Sequence, residues 1–111
     1  MENKGDCYTV AYREQEKNNQ YVLVHGLVQG QGKLKGIKYN HAWVEDTKND
    51  IVIDRTIKSK NLQEMPKIAY YALGQIQENE VFRYTFIEKI EKSSKFETYG
   101  PWEARLLSNK F

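Results

Sequence analysis

Apolar and polar positions alternate with a period of two through IKYNHAWVED, Ile37–Asp46. This puts Ile37, Tyr39, His41, Trp43 and Glu45 on one face of a strand and Ala42 and Val44 on the other. The stretch YVLVHGLV, Tyr21–Val28, is β-rich and predicts an earlier strand, followed by the glycine-rich loop QGQGKLKG, Gln29–Gly36. TKND supplies a turn after Asp46, IVIDRT (Ile51–Thr56) is the return strand of a hairpin, KSKNLQE is a polar loop, and VFRYTF (Val81–Phe86) is a further strand. Helical signals fill the remainder. Asp6 can cap a helix over roughly Cys7–Lys17, with Cys7, Val10, Ala11 and Glu14 on one face. Pro66 suits the first turn of a short helix to about Leu73, with Gly74 as its stop. Thr85 followed by Glu88 has the pattern of a capping box for a helix from Phe86 to about Lys95. The order helix, three strands, helix, strand, helix predicts an α+β fold: an antiparallel sheet with an N-terminal helix carrying Cys7 packed on it.

Composition narrows the function classes. A length of 111 residues makes one domain, 1–111, with room for a modest core. Eight Tyr, four Phe and two Trp in a chain that is 40% hydrophobic argue for a folded globule. Seventeen Lys and Arg against fifteen Asp and Glu give no electrostatic steer towards nucleic acid or a membrane surface. The first residues have no apolar leader segment, no apolar run is long enough to span a bilayer, and a lone cysteine has no intramolecular disulfide partner. The expected location is the cytoplasm, with a reduced thiol.

The hairpin carries the chemistry. His41 and Asp54 share a face of the sheet when paired residue numbers sum to an odd value, 95 or 97, and those registers also gather Ala42, Val44, Ile51 and Ile53 on one apolar face. An aspartate bonded to one imidazole nitrogen fixes the tautomer and leaves the other nitrogen free for a nucleophile. Cys7, in the first turn of a helix, is the one thiol the chain offers. Blander readings stand beside this: an inert packed thiol at Cys7, a strand histidine on an aromatic face at His41, and a cap of the RTIK backbone at Asp54. His25, on a face with Tyr21 and Leu23, reads as structural. Tyr39, Trp43 and Trp102 read as core or cleft wall, and YGPWE, Tyr99–Glu103, could close one side of a Cys7 cleft. Lys33, Lys35 and Lys38 read as a solvated loop, and IEKIEKSSK as a solvated helix face. No metal is expected, because C-x-x-C and H-x-x-x-H pairs are absent, and no cofactor is implied.

GDCYTVA, HAWVE and VIDRT together resemble the transglutaminase-like and papain-like cysteine-protease superfamily, over roughly residues 5–56. The resemblance implies a catalytic triad of Cys7, His41 and Asp54, and thiol-dependent hydrolysis of an amide through an acyl-thioester. Acyl transfer to an amine, and a non-catalytic binding module or inhibitor on the same scaffold, are the alternatives. Small size and a near-neutral charge balance suit a bacterial or prophage accessory enzyme acting on a protein or cell-wall peptide. Arg55 stands where that family commonly has proline, and Met1 where papain-like enzymes carry an oxyanion-hole glutamine. The Cys7 backbone N–H then needs a second donor, for which Gln29 and Gln31 qualify by chemical type.

Overall fold

The computed structural model describes residues 6–30 and 32–108. Five strands form one antiparallel sheet in the order β4-β3-β2-β1-β5: β1 Tyr21–Gln29, β2 Lys38–Asp46, β3 Ile51–Ile53, β4 Glu64–Pro66 and β5 Val81–Tyr84. Helices α1 Cys7–Gln15, α2 Lys67–Leu73, α3 Phe86–Phe96 and α4 Ala104–Leu107 complete the α+β architecture. Among the described residues no helix is long and apolar enough to cross a membrane.

Each face of the sheet has its own core. On one, α1 contributes Tyr8, Ala11 and Tyr12 against Leu23, Ala42, Val44 and Ile53. The helix buries Tyr8, Thr9, Ala11, Tyr12, Glu14 and Gln15, so Ala11 and Glu14 of the expected face are packed while Cys7 and Val10 are half-buried. Cys7 therefore lies at the margin of the packed face, half-buried. On the other face Val24, Val28, Trp43 and Val52 pack with Tyr70 and Ile76. Gly26 makes room for Trp43: a Cβ there would stand 2.9 Å from the indole Cη2 and 2.8 Å from Val81 Cγ1.

Several boundaries differ from the sequence reading. The return strand stops at Ile53, so Asp54 opens a turn instead of lying within a strand. Residues 64–66, read as loop and helix start, form edge strand β4, where Pro66 pairs with Ile51 at the margin of the sheet. Helix α3 is less solvated than its charge pattern suggests. Lys89 is fully buried, donates to the Tyr12 carbonyl at 2.7 Å and lies 3.9 Å from the Tyr12 ring centroid. Its long apolar stem, the Tyr12 carbonyl and an ion pair with Glu16 Oε2 at 3.3 Å make that burial tolerable.

Candidate active site

Register decides the site. β2 and β3 pair Val44 with Ile53, Glu45 with Val52 and Asp46 with Ile51, the sum of 97. That register keeps Tyr39, His41, Trp43 and Glu45 in one row and brings Asp54, just past β3, diagonally to His41. The imidazole Nε2 donates to Asp54 Oδ2 at 2.9 Å. The other oxygen, Oδ1, accepts from the Thr56 backbone N–H at 3.1 Å and from the Thr56 hydroxyl. The backbone-capping bonds thus fall on Oδ1 and the histidine bond on Oδ2.

Cys7 reaches the same imidazole from the opposite face of the sheet. β3 pairs with β2 only from Val44 to Asp46, so the β2 edge beyond it, towards His41, has no strand neighbour on that side among the described residues. The N-terminus of α1 closes on this gap. The Asp6 side chain accepts from the Thr9 N–H at 2.8 Å and fixes the first helical turn. The Cys7 side chain then lies near enough to the His41 ring to favour its charged form. With Nε2 engaged by Asp54, Nδ1 is the ring nitrogen left for a nucleophile.

The electrostatics follow from this packing. Burial opposes a charge on His41, whose side chain is 14% exposed, but the hydrogen bonds to Asp54 and Cys7 outweigh it and raise its pKa to about 10. For Asp54, burial pushes the carboxyl up, while the bond and charge of His41 and the Thr56 and Tyr70 hydroxyls bring it down to about 2. The buried pair is an imidazolium–carboxylate ion pair at neutral pH.

Tyr70 was not legible as part of the site. Its hydroxyl donates to Asp54 Oδ2 at 2.7 Å, sharing that oxygen with His41. Glu45, also missed, is buried and braces the neighbouring indole: Trp43 Nε1 donates to Glu45 Oε2 at 3.1 Å, and Arg83 Nε to Oε1 at 2.9 Å. The Trp43 ring in turn stacks on His41, with centroids 6.2 Å apart and planes 29° off parallel. The sole advance signal for Glu45 was its place in the alternating row.

The expected cleft residues divide. Tyr39, His41 and Asp54 line an open cleft of about 210 Å³, with Gln29 and Tyr70 also on its wall. Trp43 lies fully buried beneath His41. Trp102 is not a cleft wall: it is 5% exposed in the α1-side core, 4.8 Å from the His25 ring and 4.9 Å from Tyr84. The terminal segment follows it there, since Gly100 abuts His25 and Tyr8. Gln31 lies outside the described residues. Cys7 itself borders a narrow crevice with Ala11, Ala42, Ile53 and Asp54 that has no room for a water molecule. Among the described residues no group of three or more His, Cys, Asp and Glu side chains is arranged to hold a metal ion. No protein-family model, curated protein or solved structure matches the chain.

Proposed function

We propose that the chain is a thiol-dependent hydrolase, a cysteine peptidase or amidase in type, on a papain-like or transglutaminase-like core. The observation that carries this reading is one imidazole bonded to a buried carboxylate, with the chain's one thiol near enough to favour its charged form. His41 holds the catalytic proton as an imidazolium, and the Cys7 sulfur attacks the substrate carbonyl carbon as thiolate. The Cys7 backbone N–H, at the N-terminus of α1, is an oxyanion donor. Collapse of the tetrahedral intermediate breaks the C–N bond, and His41 gives its proton to the leaving amine. Neutral His41 then takes a proton from water, which attacks the thioester and releases the acid. Asp54 stays ionised throughout and orients the ring. A protein or peptide amide is the substrate class.

One observation favours a second reading, a binding module that keeps the scaffold without turnover: the crevice bordered by Cys7 has no room for water. The test is the rate of Cys7 alkylation by iodoacetamide from about pH 5 to about pH 9, in the wild type and in His41→Ala. The hydrolase requires fast alkylation on the acid side of neutrality that disappears without His41. A thiol that ignores His41, or does not react, leaves the binder. Incorporation of an added amine into product would assign the acyltransferase.

A further inference from the structure

The two elements that carry Cys7 and His41 are tied to each other by side chains that take no part in the proposed chemistry. Tyr8 follows Cys7 in the first turn of α1, and Asn40 precedes His41 in β2, on the strand face it shares with Ala42. The Tyr8 hydroxyl donates to Asn40 Oδ1, and Asn40 Nδ2 donates to the carbonyl of Leu106, in α4, at 2.8 Å. A backbone carbonyl can only accept, so the carboxamide turns its nitrogen to Leu106 and leaves its oxygen for Tyr8. Burial raises the pKa of the Tyr8 hydroxyl, which therefore stays a donor through the neutral range. Leu106 is fully buried, and Trp102 on the same segment packs on His25, so Asn40 is held from a fixed part of the core. Ala11, Ala42 and Val44 join α1 to β2 within one apolar cluster, but such packing is non-directional. A hydrogen bond is directional, and this one stands one residue from each reacting group.

We infer that Asn40 is a positioning residue: it holds the first turn of α1 in place along β2, from an anchor on the C-terminal segment, and so sets how close Cys7 comes to His41. The inference rests on Cys7 and His41 acting together, as in the proposed function. The C-terminal segment, which forms no wall of the cleft, thereby reaches the site through one carbonyl.

The test uses Tyr8→Phe, which keeps the ring and removes the hydroxyl, and Asn40→Ala, which cuts the tie at its centre. Cys7 alkylation by iodoacetamide is followed from about pH 5 to about pH 10. Each variant lowers the rate at about pH 6 by about 10-fold, a part of the roughly 10²-fold that a misplacement of about 1 Å can cost. Above about pH 9, where a free thiol ionises unaided, each stays within about 2-fold of the wild type. The double variant loses no more than either single one, since the same tie is broken twice. A role in stability alone lacks this profile, because partial unfolding exposes the thiol and raises the rate at high pH. NMR supplies a second readout: Tyr8→Phe lowers the His41 pKa towards its value in Cys7→Ala, where the sulfur's contribution is gone. Wild-type rates at about pH 6 together with a wild-type His41 titration, in variants that remain folded, overturn the inference. If wild-type alkylation ignores His41→Ala, the hydrolase fails, while the His41 titration still judges the positioning.

Discussion

His25 and His41 lie on adjacent strands, one step apart in register, since Gly26 is the partner of His41 and Ala42 that of His25. Their side chains leave the sheet on opposite faces. His25 is fully buried in a cage of Tyr8, Tyr84 and Trp102 rings, and neither ring nitrogen has a hydrogen-bond partner among the described residues. Burial, with a smaller contribution from the charge of His41, drives its pKa down to about 3, so it is a neutral aromatic packing unit. His41 is also largely buried, but a carboxylate and a thiol reverse the outcome and raise its pKa to about 10. The same side chain, buried in both places, is silenced in one and charged in the other. Partners decide the difference, since burial alone would lower both.

The comparison can be broken most directly at the thiol. At about pH 6, His41→Ala lowers the Cys7 alkylation rate by about 10²-fold, the low end of what a positioned imidazole contributes, whereas His25→Leu leaves it within about 2-fold. Equal losses in both variants would show that the histidines act only through the fold.

Stability against pH, from urea unfolding, sharpens it next. Between about pH 3 and 6.5 the unfolded chain binds the proton that His25 refuses in the native state, so stability rises with pH by up to about 1.4 kcal/mol per unit. Asp54, lowered from 3.8 to about 2, adds to that acid limb below its ordinary value. Between about pH 6.5 and 10 the native state holds the extra proton on His41, so that contribution, full below pH 6.5, is lost as pH rises. Stability therefore peaks near neutrality. At pH 5 His25→Leu gains about 2 kcal/mol relative to its effect at pH 7, and His41→Ala flattens the alkaline limb. An acid limb unchanged in His25→Leu would place its origin elsewhere.

The smallest effect concerns Tyr70. Tyr70→Phe removes a donor from Asp54 Oδ2 and costs about 1–2 kcal/mol of stability. It leaves Asp54 more basic, so the His41 titration seen by NMR moves further up. A downward move would show that Tyr70 supports the ion pair only through packing.

Much of the site was legible because strand alternation is a local property. The row Tyr39, His41, Trp43 and Glu45, the odd register and the shared face of His41 and Asp54 follow from residue order and the need to bury Ala42, Val44 and Ile53. The Asp6 cap and the capping box of Thr85 with Glu88 were equally local, and both are present. Contacts between faces were not legible. Tyr70 on Asp54, Trp102 on His25 and Lys89 under Tyr12 join elements whose approach depends on how the helices seat on the sheet.

Sequence by itself determined which residues could form a triad and that two of them share a face. Packing decided that His41 and Asp54 bond and that Cys7 comes near the ring: β3 stops at Ile53, its pairing with β2 ends at Val44, and the first turn of α1 brings Cys7 towards His41. No residue pattern encodes the length of a strand's pairing, because that depends on where the competing backbone bonds of the next turn, here the Asp54 N–H to the Gln63 carbonyl at 2.8 Å, end the ladder.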